Sequence, residues 1–147
     1  MPNIPPSSVR IDLGPWERLG ADARDIRFEV FVHEQGVPAE MELDDYDAVS
    51  LHAVAYTQDS TPVATGRLLP DGHIGRMAVL KQARRAGVGG MIMDALIERG
   101  FQQGHQILML HSQVQAKEFY ESRGFVAQGK EFMEAGISHV LMTRVLK

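Results

Sequence analysis

Cysteine is absent from this chain, which removes disulfides, thiolate zinc sites and cysteine nucleophiles from its chemistry. No apolar run approaches the ~18 residues that a membrane-spanning helix needs. The start, Met1-Pro2-Asn3-Ile4-Pro5-Pro6-Ser7-Ser8, lacks the basic and apolar segments of a secretory leader. Positive charge is not in surplus either. The formal net charge is −4, whereas a general nucleic-acid binder carries a basic stripe. Internal repeats and low-complexity tracts are missing. The expectation is one soluble cytoplasmic domain over residues 1–147 that engages neither nucleic acid nor membrane. A domain of this size buries roughly 68–70% of its unfolded surface and folds without staples.

What is present reads as alternating short elements. Val9–Leu13 alternates like a strand. Ala23–Glu34 fits both a strand period (Ile26, Phe28, Val30, Val32) and a helix stripe (Ala23, Ile26, Arg27, Val30, Phe31). Residues 36–50, with Gly36, Pro38 and five acids, read as a loop. Leu51–Tyr56 and Pro62–Leu69 flank a polar turn, a hairpin signal, and Ile74–Val79 forms a third strand. From Gly87, Val88, Met91, Ile92, Ala95 and Leu96 mark one face of a helix that should stop at Gly100. Ile107–Leu110 is a short strand, and Ala116, Phe119 and Tyr120 share one face of a helix closing at Gly124. Strands near Phe125–Gln128 and Ser138–Leu146 complete a mixed α/β chain with a mostly antiparallel central sheet flanked by helices.

Between the third strand and the Gly87 helix lies Gln82-Ala83-Arg84-Arg85-Ala86-Gly87-Val88-Gly89-Gly90. Glycines let the backbone approach a ligand closely, and the helix start offers unpaired N–H groups to an anion. Arg84 and Arg85 add donors for phosphate oxygens. The Gly-Lys-Ser/Thr ending of a P-loop is missing. A dinucleotide fingerprint fails at Ile92 and Ile107.

Arg84-x-x-Gly87-x-Gly89 instead resembles the pyrophosphate-binding loop of the GNAT superfamily, the Gcn5-related N-acetyltransferases, in its small single-domain bacterial form. A second family signature follows as Ala116-x-x-Phe119-Tyr120-x-x-x-Gly124-Phe125, so the resemblance spans roughly residues 9–146. It implies the GNAT (acyl-CoA N-acyltransferase) fold, with Ala23–Glu34 as the first helix. Acetyl-CoA becomes the expected donor, and Gly75–Val79 should run beside its pantetheine arm. Cofactor contacts then fall on Met77, Ala78, Val79, Arg84, Arg85, Gly87, Val88, Gly89, Gly90 and Gln113. The last stands where many members carry asparagine.

The reaction so implied is attack of a neutral amine on the acetyl thioester, with a backbone N–H near Met77 or Val79 meeting the developing oxyanion. Tyr120 matches the position whose hydroxyl serves the leaving sulfur. Between a tyrosine of pKa ~10 and a thiol of ~8.5, full proton transfer is uphill by only ~2 kcal/mol. The strand before the loop carries no carboxylate, which leaves the family's familiar base position empty. Glu34 and His111 are the candidate bases, ahead of Glu134 and His139, and a water relay serves equally. His111 should end its strand, and its unperturbed pKa of ~6.5 suits the task.

On the acceptor side, Glu40, Glu42, Asp44, Asp45 and Asp47 read better as a solvated acidic loop than as a field for a cationic amine. Their spacing is not that of an EF-hand, and His33-Glu34 lacks a second histidine at Val37, so no metal is expected. Arg27-x-x-Val30-Phe31-Val32-x-Glu34-Gln35 with Glu42, Asp44, Asp45 and Asp47 also resembles the front half of acyl-homoserine-lactone synthases, which share the fold but use other acyl donors. A CoA-binding module without catalysis is the alternative of another class. The acceptor, a small-molecule or peptide amine, is not named by the sequence, and a homodimer is compatible with the family.

Overall fold

The computed structural model describes residues 8–146, so the Pro-rich start before Ser8 lies outside the described residues. Strand β1 (Arg10–Gly14) leads into helix α1 (Trp16–Arg27), which continues as a wider π-type turn over Phe28–Glu34. The helical reading of the ambiguous segment is therefore the one adopted, and it begins seven residues earlier, at Trp16 rather than Ala23. A short helix α2 (Ala39–Glu42) and a 3₁₀ turn at Asp47–Val49 occupy the stretch expected to be loop. Strands β2 (Leu51–Tyr56), β3 (Pro62–Leu68) and β4 (His73–Val79) follow.

Helix α3 (Val88–Gln102) passes through Gly100 without stopping. That glycine is there for packing: a Cβ on it would sit 3.1 Å from Leu108 Cδ2. Gly104, at φ +91°, supplies the left-handed residue after the helix instead. Strand β5 (Ile107–Gln113) outlasts its expected end, so His111 lies inside it. Helix α4 (Lys117–Glu121), β6 (Val126–Glu134) and β7 (Ile137–Val145) complete the chain.

Among the described residues, seven strands form one sheet in the order β1-β2-β3-β4-β5-β7-β6, antiparallel except between β4 and β5. Side chains alternate across it. Ala53 and Ala55 face the core built on α3 (Val88, Ile92, Met93, Leu96), while Val54 and Tyr56 face the core under α1 (Leu19, Ala23, Ile26, Val30). With both faces covered, β2 reads as a nearly unbroken apolar run.

Two irregularities shape the middle of the sheet. The β3–β4 register slips between Thr65 and Arg67, where Arg76 takes φ +51°. That is a bulge, which bends the strand and re-aims its side chains. On the other side β4 meets β5 only at His73↔Met109 and Ile74↔Leu110. Beyond that pair the strands part, and their facing backbone groups are left outside the ladder.

Candidate active site

Two clefts, each of about 600 Å³, open along this split and share Gln35, Met77, Ala116 and Tyr120 in their walls. The first runs between the end of β4, the start of α3 and α4. Of the ten residues expected to contact cofactor, all but Gln113 line it. The first bond inside α3 is Met91 N–H to the Gly87 carbonyl, 3.1 Å. The N–H groups of Val88, Gly89 and Gly90 thus remain unpaired within the helix. Gly87 is at φ +79°, a conformation costing an L side chain roughly 1–2 kcal/mol. Phe119 lines the cleft from α4 and packs also on the main core.

The two arginines of the loop differ. Arg84 Nη2 is 2.6 Å from Glu34 Oε1, and its Nε donates to the Val79 carbonyl at 2.9 Å. Arg85 is exposed, and among the described residues it has no ion-pair partner. The Val79 carbonyl is informative. Leu80 N–H bonds to Val63 on β3, and strand groups alternate in direction. Val79 and Met77 therefore turn their N–H groups toward the split.

Glu34 lies in the first cleft, held by Arg84, and does not line the second. Gln113 does the reverse: it lines the second cleft, where its Nε2 donates to Gln35 Oε1 (3.0 Å) and its Oε1 accepts from Gln115 (2.6 Å). Gln113 thus bridges to Gln35 at the end of the π turn.

Tyr120 stands where the clefts join. Its hydroxyl has no hydrogen-bond partner among the described residues, and burial pushes it up to about 12. A rise of this size makes full proton transfer costlier than the unperturbed value implies.

The second cleft has an apolar floor including Phe31, Val37, Leu69 and Ile137, and two polar walls. One wall overturns the reading of a solvated acidic loop. Arg27, 1% exposed, binds both oxygens of Glu42 through Nε (3.0 and 2.9 Å) and both oxygens of Asp47 through Nη1 and Nη2 (2.9 and 3.0 Å). Arg67 grips Asp44 (2.7 and 2.8 Å) and Asp47 (2.8 Å), while Arg76 reaches Glu42 (3.3 Å) and Asp44 (3.1 Å). Three guanidinium groups thus neutralise three carboxylates, and only Glu40 and Asp45 of the five acids stay solvated. Burial alone would raise Asp47, but its bonds to Arg27 and Arg67 hold it below the usual carboxylate range. Arg67 does the same for Asp44, and burial outweighs Arg27 in raising Glu42.

The other wall gathers histidines. A register shift in β6 between Gln128 and Phe132 bends the β6–β7 hairpin over β5. Glu134 Oε1 thereby comes 2.9 Å from His111 Nδ1, with Phe132 edge-on to the His111 ring at 5.2 Å. His139 is buried nearby, and His73 lies 5.9 Å from His111 between ring centroids. His73 and Arg76 escaped the sequence reading. The signal for Arg76 was a charged residue inside a strand whose neighbours are apolar.

A family model described as an acetyltransferase (GNAT) domain matches residues 19–146. The N-acetyltransferase YjcF of Bacillus subtilis, itself uncharacterized, is 44% identical over 127 residues, covering 84% of this chain and 90% of its own. The solved acyl-CoA N-acyltransferase of Pseudomonas aeruginosa has a TM-score of 0.83 at 28% identity, over 94% of this chain and 100% of that one. BjaI, a CoA-dependent acyl-homoserine lactone synthase solved with SAM and isopentyl-CoA, has a TM-score of 0.77 at 16% identity, over 95% and 84%. At that identity the likeness to BjaI is one of fold alone.

Proposed function

This chain belongs to the GNAT acetyltransferase family, and we propose that it transfers the acetyl group of acetyl-CoA to a primary amine by direct attack. The observation that carries the reading is the meeting of two clefts at Met77 and Tyr120. A donor in one and an acceptor in the other would bring their reacting atoms to the split in the sheet. The unpaired N–H groups at Val88–Gly90, together with Arg85, suit the pyrophosphate. The N–H groups of Met77 and Val79 suit the carbonyl oxygen as it gains charge.

His111 is the base we favour, because it lines the acceptor cleft while Glu34 is engaged by Arg84 on the donor side. The amine nitrogen bonds to the acetyl carbon, the carbon–sulfur bond breaks, and the Tyr120 hydroxyl donates a hydrogen bond to the departing thiolate. The Arg27–Glu42–Asp44–Asp47 grouping, shared in pattern with lactone synthases, supports a second reading in which the acyl group is longer than acetyl.

Thermal unfolding tests the donor. Acetyl-CoA at 100 times its Kd adds ~2.7 kcal/mol, a rise of roughly 5–11 °C in a domain of this size. Gly87→Glu, which places a carboxylate in the anion site, should abolish the rise. An unchanged Tm with acetyl-CoA in the wild type would refute the donor assignment.

A further inference from the structure

Glu134, His111 and His139 present hydrogen-bond acceptors to the acceptor cleft with no donor among them to match. His139 Nδ1 lies 2.7 Å from the Ile137 carbonyl. A carbonyl only accepts, so Nδ1 carries the proton and Nε2 of the neutral ring is a lone pair. That ring has a side chain only 8% exposed, and its Nε2 is 4.0 Å from Glu134 Oε2. The other carboxylate oxygen takes the His111 Nδ1 proton at 2.9 Å, which fixes the His111 tautomer and leaves its Nε2 as a lone pair too. All three residues line the same cavity.

The remaining charges of the cavity do not answer this demand. Arg67 and Arg76 are spent on Glu42, Asp44 and Asp47 across the cleft. His73 Nδ1 turns to Asp71 at 3.0 Å. Among the described residues, Glu134 is therefore the carboxylate of this cavity that no arginine balances. A spacing of 4.0 Å is too long for a direct hydrogen bond, yet it is spanned by one nitrogen lying ~2.9 Å from each acceptor.

We infer that Glu134 Oε2 and His139 Nε2 form an ammonium-binding subsite, so that the acceptor is a primary amine captured in its charged form before His111 takes its proton. The inference rests on the acyl-transfer reading of the cleft. The balance is simple: R–NH₃⁺ passes one proton to His111 and becomes the neutral nucleophile, and the imidazolium so formed is stabilised by Glu134. An amine with three N–H donors fits the cluster. A quaternary ammonium has the charge and none of the donors.

The test is calorimetric titration of the CoA-loaded protein with benzylamine and with benzyltrimethylammonium, whose rings suit the apolar floor, and of the protein with CoA alone. Benzylamine should bind at least tenfold more tightly than its trimethyl analogue. Glu134→Gln, on an exposed strand, should weaken benzylamine at least tenfold and leave CoA affinity unchanged. His139→Gln should weaken benzylamine in the same direction. CoA affinity reads the cofactor cleft separately, so its failure strikes the acyl-transfer reading. Equal affinity for the two cations, benzylamine binding indifferent to Glu134→Gln, or no benzylamine binding at all would overturn the subsite.

Discussion

Replacing Arg27 with methionine is expected to cost the fold about 3–5 kcal/mol, the usual penalty for removing one partner from a buried ion pair. In a domain of this size that is a fall in Tm of roughly 6–20 °C. The Arg27 side chain is 1% exposed, and each of its three guanidinium nitrogens donates to the Glu42 carboxylate, the Glu42 carbonyl or Asp47. Methionine fills similar volume but leaves two buried carboxylates short of hydrogen bonds. Arg27→Lys should be nearly as damaging, since a single ammonium cannot reproduce the planar fork. Denaturant unfolding of the two variants against the wild type checks this. A loss below about 1 kcal/mol, the range of exposed pairs, would mean the network does not hold as described. Because Asp44 and Asp47 are held below the usual range, their contribution is complete above about pH 4 and is lost as pH falls through their lowered values.

Tyr120→Phe should lower kcat roughly 10²-fold while leaving acetyl-CoA binding unchanged. With the hydroxyl pushed up to about 12 and a thiol near ~8.5, complete proton transfer is uphill by about 5 kcal/mol. The hydroxyl therefore serves as a hydrogen-bond donor that strengthens as thiolate charge forms. Burial of the thiol in the same junction narrows the gap. Two companion results separate this role from a structural one. The hydroxyl has no hydrogen-bond partner among the described residues, so the phenylalanine variant should be at least as stable as the wild type. The folded-state value lies above the unfolded ~10, so the neutral hydroxyl favours the fold below about pH 10 and that contribution fades as pH rises toward about 12. Activity should accordingly show no tyrosine-linked decline up to about pH 10. Unchanged kcat in Tyr120→Phe would remove the residue from the mechanism.

Much of this was legible in the chain. The hairpin of β2 and β3 is bounded by polar turns, and its expected limits match the observed ones to within a residue. The cofactor loop announced itself because glycines and arginines cluster where a strand period gives way to a helix period. The buried network was half visible: Arg27 falls on the apolar stripe of α1, and a charge on such a stripe demands partners. The acids of residues 40–47 could supply them, yet composition alone reads such a run as solvated. Gly100 and Gly104 look alike in sequence, and only the packing of Leu108 tells the close approach from the helix stop. The histidine wall was the least legible. His111, Glu134 and His139 were named singly, but their meeting depends on β7 inserting between β5 and β6 and on a bulge that bends the hairpin.

The central claim is tested most directly by incubating the purified protein with acetyl-CoA and a panel of primary amines, and following free CoA and the N-acetyl product together. Acetyl transfer from this site requires the two to appear in equal amounts, with turnover that depends on the amine and collapses in Tyr120→Phe. Acetyl-CoA binding without turnover of any amine, or consumption of a longer acyl-CoA in preference to acetyl-CoA, would contradict it.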